Sequence, residues 1–257
     1  MSADDRLYDD PALAGFYDLE NHWGEDFDRI RAMTRPGLRV LDLGCGTGQL
    51  AAGLALAGCV VTGIDPAAAM LDIARRRVGG DRVSWLEGDA RDIRLGRTFD
   101  LVVLTGHAFQ VFLTGDDRRA VLETIAAHLA PEGRFIFDSR NPLREEWREW
   151  TPEASRREII HPDFGLVHAW NDVARDDAAG IVTYETVYEV VATGRRHGAR
   201  SRLSFPGQAE LDRLIADAGL TVDRWLGDWA GALGGPDAPE MIPIGRLSPR
   251  RGQGRAG

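Results

Sequence analysis

Cysteine is nearly absent from this chain: 257 residues carry two, Cys45 and Cys59. A structural disulfide is therefore not expected, and two thiols cannot close a zinc site alone. Long apolar runs are missing too. No stretch approaches the ~18 residues that a membrane-spanning helix needs. Met1-Ser2-Ala3-Asp4-Asp5 is acidic and has no apolar core, so no signal peptide is expected. The expectation is a soluble, cytoplasmic protein without a membrane partner. Basic charge is in deficit. The formal net charge of −9 argues against a nucleic-acid partner, because such binding relies on basic surface to release counterions. The densest internal cationic run, Arg75-Arg76-Arg77, reads as a solvated helix end, where cations favour the C-terminal dipole. No G-x-x-x-x-G-K-S/T occurs, which excludes ATP hydrolysis through a P-loop. Internal repeats are absent.

What is present supports a full core. The hydrophobic fraction is 44%, and the length suits one large domain or one domain with an insertion. The most informative segment is Val40-Leu41-Asp42-Leu43-Gly44-Cys45-Gly46-Thr47-Gly48. An apolar strand from Leu38 to Leu43 empties into glycines at alternate positions. Gln49 to Ala57 then reads as a helix. Strand, glycine turn and helix form the first half of a βαβ nucleotide site, and glycine lets the backbone approach a ligand closely. Dinucleotide folds use G-x-G-x-x-G; here the spacing is G-x-G-x-G, with Gln49 where the third glycine would fall.

Further strands follow. Val60 to Asp65 ends in an acid about 20 residues past the loop, the distance expected for a ribose-binding carboxylate. A third strand ends at Glu87-Gly88-Asp89-Ala90, Phe99 to Leu104 is a fourth, and Leu129 to Asp138 holds a loop and a fifth. Strands and helices alternate from Leu38 to Asp138, which predicts a parallel sheet. Between Ser139 and Leu203 the pattern breaks into β-branched and aromatic alternation, an antiparallel β insertion of about three or four strands. Gln208 to Ala218 is a helix ended by Gly219, and Val222 to Leu226 and Met241 to Ile244 are strands. The divisions are a helical segment over 1–37, an α/β core over 38–138, the insertion over 139–203, the rest of the core over 204–247 and a disordered Arg/Gly-rich tail over 248–257.

Together the glycine loop, Asp65, Glu87 to Ala90 and the fifth-strand segment resemble the class I S-adenosylmethionine (SAM) dependent methyltransferases, whose first motif has the form D-x-G-x-G-x-G. The resemblance implies a doubly wound, Rossmann-like α/β sheet of seven strands in the order 3-2-1-4-5-7-6, with strand 7 antiparallel. It implies SAM as methyl donor and S-adenosylhomocysteine (SAH) as product. Gly44, Cys45, Gly46 and Gly48 would pass beside the methionine portion, with Asp42 at the base of the loop. Asp65 would accept from both ribose hydroxyls, a task suited to a carboxylate, or serve as a helix cap. Pro66 and Met70 would pack on the adenine. Asp89 would accept from its amino group, and the Ala90 amide would donate to the ring. Leu104 and Thr105 would run beside the donor, with His107 and Phe109 near its methyl group.

Methyl transfer is an in-line displacement, so positioning carries most of the catalysis. His107, with an unperturbed pKa near ~6.5, is the natural base if the acceptor must lose a proton. Alternatively it orders the loop. Tyr8-Asp9-Asp10-Pro11 with Phe16-Tyr17-Asp18, and the β insertion, resemble a narrower group: small-molecule N-methyltransferases of natural-product pathways, including amino-sugar enzymes. In that group N-terminal helices close over SAM and a tyrosine reaches the reaction centre. Tyr17 and Tyr8 are the candidates here, and Trp23 would line the lid; helix packing is the alternative for each. Trp147, Trp150 and Trp170 would form the insertion's core or stack an acceptor ring. His161, Asp163 and His168 fit no closed zinc pattern, and no metal is expected.

The expected function is methyl transfer to a small molecule, at an amine nitrogen. The Asn/Asp-Pro-Pro-Tyr/Phe that DNA and glutamine N-methyltransferases use is missing; the segment is Thr105-Gly106-His107-Ala108. O-methylation and non-catalytic SAM binding are the alternatives. Lid segments of such enzymes often pack across subunits, which leaves a homo-oligomer open.

Overall fold

A computed structural model describes residues 11–176 and 180–249 of the chain. At its centre is β1 (Arg39–Leu43), bonded in parallel to β2 (Val60–Asp65) on one side and β4 (Phe99–Leu104) on the other. β3 (Ser84–Glu87) flanks β2, and β5 (Leu129–Phe137) flanks β4. β11 (Leu220–Leu226) and β12 (Glu240–Leu247) complete the order β3-β2-β1-β4-β5-β12-β11. β12 runs antiparallel to both neighbours. This is the expected doubly wound topology, with β12 in the place of strand 7.

Successive side chains of a strand face opposite sides of its sheet, and here both sides are covered. Leu41, Leu43, Val102, Leu104, Phe135 and Phe137 belong to one core, with Val121 and Ile125 of α5 (Gly115–His128) and Leu211 and Leu214 of α6 (Gln208–Asp217). Val40, Leu101, Val103 and Ile136 belong to the other, with Leu50 and Leu54 of α3 (Gln49–Leu56) and Ile30 of α2 (Glu25–Ala32). Two-sided burial is why these strands read as continuous apolar runs rather than alternating ones. Each fully buried Leu or Phe contributes roughly 1.5–3 kcal/mol.

A second sheet is antiparallel, in the order β10-β9-β8-β7. It comprises β7 (Arg157–His161), β8 (Gly165–Asp176), β9 (Ile181–Val190) and β10 (Arg195–Ser204). β10 reads RRHGARSRLS, a polar string whose apolar periodicity is too weak to mark it as a strand. The helix α1 (Pro11–Glu20) wedges between this sheet and the nucleotide fold. Its Leu13 and Phe16 pack with Ile159, Val167 and Tyr188, and the Phe16 and Tyr188 rings stack at 4.1 Å. On its other side Ala14 meets Ala67 and Met70, the latter from α4 (Ala68–Arg76).

The insertion's tryptophans are packing groups. Trp147 meets Phe205 edge-on at 4.4 Å, and Trp150 meets Tyr184 at 5.1 Å. Arg156 and Arg196 lie over the Trp170 ring. His161 is buried against Phe16 and Phe164. Like β10, β6 (Ser139–Arg140) is not legible in the sequence; it pairs antiparallel with the start of β12. Among the described residues no helix is long and apolar enough to cross a membrane. Tyr8 lies outside the described residues, as do 250–257 of the expected tail.

Candidate active site

A cavity of about 890 Å³ lies at the carboxyl ends of the parallel strands. Such sheets bind ligands there, where the strand order reverses. Its floor includes Gly44, Gly46, Asp65, Pro66, Met70, Asp89, Ala90, Leu104 and Thr105. Its roof comes from Tyr17 of α1 and from Asn171, Tyr184, Thr186 and Arg202 of the antiparallel sheet.

The glycine loop is built by two different constraints. Gly44, Gly46 and Gly48 all have φ between 50° and 73°, a region open to glycine at little steric cost. At Gly46 an added Cβ would sit 3.8 Å from the Tyr17 ring and face the cavity. At Gly48 it would collide with Ala74 at 2.7 Å and with the Trp85 ring. Gly48 thus serves helix and strand packing and does not line the cavity. Cys45 is likewise turned inward, toward Gly63, where a Cβ would lie 3.0 Å from its sulfur. Burial pushes the Cys45 thiol up, helped by the Asp42 and Asp65 charges.

Asp65 organises the loop. Its Oδ2 accepts from the Gly46 amide at 2.8 Å and its Oδ1 from the Ala67 amide at 2.9 Å. The residue is 7% exposed and lines the cavity, so capping the next helix leaves it at the cavity wall. Asp42 lies beneath the loop and does not line the cavity. Burial, then the Asp65 charge, pushes its carboxyl up to about 8, so it is largely protonated at pH 7.

At the far end Asp89 is clamped by Arg91. The Arg91 amide and Nε donate to Oδ1 at 2.9 and 3.0 Å, and Nη2 donates to Oδ2 at 2.6 Å. Burial alone would raise the Asp89 carboxyl, but these bonds outweigh it and hold it below the usual range. Arg91 also bridges to Asp117 at 2.9 Å.

Tyr17 places its ring between two glycine turns. A Cβ at Gly106 would lie 3.7 Å from its hydroxyl, and one at Gly46 4.0 Å. Burial, then the Asp65 charge, raises its hydroxyl well above the usual phenol value, so it stays a neutral O–H. His107 adopts φ 60°, one of two non-glycine residues in the left-handed region among those described. Its amide donates to both oxygens of Asp138 at 3.1 Å. Its ring Nε2 lies 2.8 Å from Glu240 Oε1 and 3.5 Å from Asp138 Oδ2. Burial pushes the Asp138 carboxyl up to about 6, against the opposing pull of His107. The ligand atoms of His107, Asp138 and Glu240 all lie within 4.8 Å of one another. That spacing could hold a metal ion, and the Nε2 to Glu240 contact is also a complete hydrogen bond.

Two expected ligands lie elsewhere. Trp23 donates from Nε1 to Asp28 at 2.8 Å and covers Gly53, where a Cβ would collide with its ring. It closes the outside of α3, because only glycine at 53 leaves room for an indole. Phe109 is fully buried and stacks on Phe137 at 4.4 Å. After the left-handed turn at His107, Phe109 and Gln110 are fully buried, whereas Ala108 and Val111 stay at the cavity. Asp138, Glu240, Asp26 and Trp229 line the cavity and were not singled out from sequence. Asp138 carried a signal, an acid at a strand end like Asp42 and Asp65. Glu240 carried none, since antiparallel β12 brings its start, not its end, to the ligand edge.

The cavity fits SAM on its own geometry. A Cβ at Gly44 would press on Leu104 and Ala108 at 3.4 Å, so the loop stays as thin as backbone permits. The floor joins a small-residue loop, a strand-end acid and an apolar slot at Pro66 and Met70.

Known proteins give the same answer. A family model described as a methyltransferase domain matches residues 40–133. The chain is 34% identical over 253 residues to the cypemycin N-terminal methyltransferase of a Streptomyces species, covering 94% of this chain and 98% of that protein. In three dimensions it is similar to the CcbJ methyltransferase of Streptomyces caelestis, with a TM-score of 0.78, 20% identity and coverage of 96% and 100%. It is also similar to SAM-bound CalS10, an amino pentose methyltransferase of Micromonospora echinaspora, with a TM-score of 0.65, 26% identity and coverage of 86% and 88%. With a glycine loop and a strand-end acid meeting at one cavity, and a relative matched over nearly its whole length, the chain belongs to the class I SAM-dependent methyltransferases.

Proposed function

We propose that the protein methylates the amine nitrogen of a small acceptor. The observation that carries this reading is the enclosure of one cavity by three elements: the nucleotide floor, α1 and the antiparallel sheet. That enclosure suits a small molecule better than a duplex or a folded surface. The net charge of −9 gives no footing for a phosphate backbone. The cypemycin and amino pentose enzymes named above support nitrogen as the target.

SAM, when bound, supplies an electrophilic methyl group. Gly44 and Gly46 would lie along its amino-acid portion, Asp65 would face the ribose, and Pro66, Met70, Asp89 and Ala90 would surround the adenine. Because Arg91 occupies the Asp89 oxygens, an adenine contact there would share lone pairs already in use. Tyr17, as a neutral hydroxyl between the two glycine turns, would orient the reacting groups. His107 would face the acceptor. Excluding water from this space and aligning the nitrogen would account for most of the rate gain.

A mass-spectrometric screen tests the reading. The purified protein and SAM are offered amino sugars, amino-acid amides and short peptides with free N-termini, beside phenols and alcohols. Methyl transfer to amines is the expected result. Turnover confined to hydroxyl compounds would replace the reading with O-methylation, and SAM binding without turnover of either set would favour a non-catalytic binder.

A further inference from the structure

Glu240 brings a second carboxylate to the His107 ring. It enters from β12, the strand that runs against the rest of the sheet. Its place is fixed from behind. Glu240 and Arg140 are register partners in the β12–β6 pair. Asn141, buried beside them, donates from Nδ2 to the carbonyls of Pro236 and Ala238 at 3.0 and 2.8 Å. The loop before Glu240 is thereby pinned.

An ionised carboxylate only accepts hydrogen bonds. At 2.8 Å from His107 Nε2, Glu240 Oε1 therefore favours the tautomer whose proton sits on Nε2. Nδ1 has no partner among the described residues and is not among the buried unsatisfied atoms, and His107 lines the cavity. Nδ1 is thus the ring nitrogen left for the acceptor. The second oxygen, Oε2, is buried with no hydrogen-bond partner among the described residues. A carboxylate so poorly solvated gains most when its neighbour becomes a cation.

We propose that Glu240 is the positioning residue of a His107–Glu240 pair, holding the imidazole with its proton on Nε2 so that Nδ1 takes the proton of the acceptor amine. This rests on the amine reading above. An aliphatic or α-amino group is mostly protonated at pH 7 and cannot attack until it loses a proton. The ammonium gives that proton to Nδ1, forming an imidazolium whose Nε2–H still donates to Glu240. The freed nitrogen lone pair forms a bond to the donor's methyl carbon as the carbon–sulfur bond breaks, its electron pair remaining on sulfur. The product nitrogen carries the charge the sulfonium lost, and the imidazolium then releases its proton to solvent.

Other groups set the field at this ring. Asp138 at the end of β5 binds the His107 amide, and Asp26 of α2 interacts with the His107 charge. Arg140 of β6 acts on Asp138, and Asp138 in turn acts on Tyr17 of α1.

The test is ¹⁵N NMR of histidine-labelled full-length protein saturated with SAH, which needs no acceptor. The wild type is expected to show the Nε2–H tautomer at alkaline pH. Glu240→Gln, whose amide can donate or accept, should lose that single tautomer. It should also lower the pH midpoint of His107 protonation, as loss of an adjacent opposite charge does. Glu240→Asp should retain both properties in part. An Nδ1–H tautomer in the wild type, or a midpoint unmoved in a folded Glu240→Gln, would overturn the proposal. Saturable shifts of the His107 resonances on adding Mg²⁺ or Mn²⁺ would also overturn it, in favour of a metal centre. The amine screen is read separately: a correct tautomer with no amine turned over would leave the pair standing and remove only its substrate.

Discussion

Asp18 of α1 accepts a 2.6 Å hydrogen bond from the hydroxyl of Thr47 in the glycine loop, and its other oxygen pairs with Arg77 at the end of α4. Arg77 in turn donates from Nε to the Thr47 carbonyl at 2.9 Å. Three segments of the chain therefore meet at one carboxylate, which ties the N-terminal helix to the loop beneath it.

Asp18→Ala is expected to weaken SAH binding by about 1 kcal/mol, roughly fivefold, the net value of a hydrogen bond. The larger figure for a charged group does not apply, because the Asp18 side chain is 32% exposed and solvent screens it. Global stability should change little, since Phe16 and Leu13 keep the helix on the antiparallel sheet. Calorimetry of SAH binding is the check, and an unaltered affinity would show that this tie does not shape the cofactor site.

Gly46 and Gly48 should separate binding from folding. Gly48→Ala places a methyl group against Ala74 and Trp85 at φ 73°, so it should cost about 2 kcal/mol or more through overpacking and backbone strain. Gly46→Ala meets nothing nearer than 3.8 Å among the described residues and should cost about 1 kcal/mol from its φ alone, yet Gly46 lines the cavity, so the variant should weaken SAH strongly. Denaturant unfolding and calorimetry on both variants decide. Equal stability losses in the two would refute the division.

Asp42 predicts a pH dependence of stability. Its folded carboxyl titrates at about 8, against ~3.9 in an unfolded chain. A raised value means the native state binds the extra proton, so the stabilisation is complete below ~3.9 and is lost as pH rises through 8. Asp138, at about 6, adds the same sign of slope, but its contribution is largely spent by pH 7. Between pH 7 and 8.5, then, wild-type stability should fall while that of Asp42→Asn stays flatter. Parallel curves for the two proteins over that interval would mean that Asp42 is ionised in the fold.

The parallel sheet was legible because its strands are buried on both faces and its loop carries unusual glycine spacing. The same pattern placed Asp65, Asp89 and Ala90 at the cavity edge. Side chains set by the turn after β4 were not legible in this way. His107 and Phe109 are two residues apart, yet the left-handed backbone at His107 sends one to the cavity and the other to the core. Trp23 was misplaced because an exposed aromatic near a lid looks the same in sequence whether it faces a ligand or a glycine on a neighbouring helix. Glu240 was invisible because its contact with His107 spans 133 residues and depends on a strand whose direction periodicity does not report.

His107→Ala discriminates between nitrogen and oxygen as the methylated atom. An amine has a neutral fraction in solution that grows with pH, so water can take the proton that His107 would have taken. For an amine acceptor the loss in kcat should be modest, about tenfold near pH 7, and should shrink as pH approaches the acceptor's own pKa. SAH affinity should be retained, because the proposed place of His107 is on the acceptor side. An alcohol has almost no deprotonated fraction at any accessible pH, so losing a general base there should cost ~10²–10⁴ with no recovery at alkaline pH. The measurement is kcat against pH for wild type and variant with the acceptor that the screen identifies. A collapse by three orders of magnitude that persists at high pH, with SAH binding intact, would reject amine methylation and establish His107 as the base for a hydroxyl.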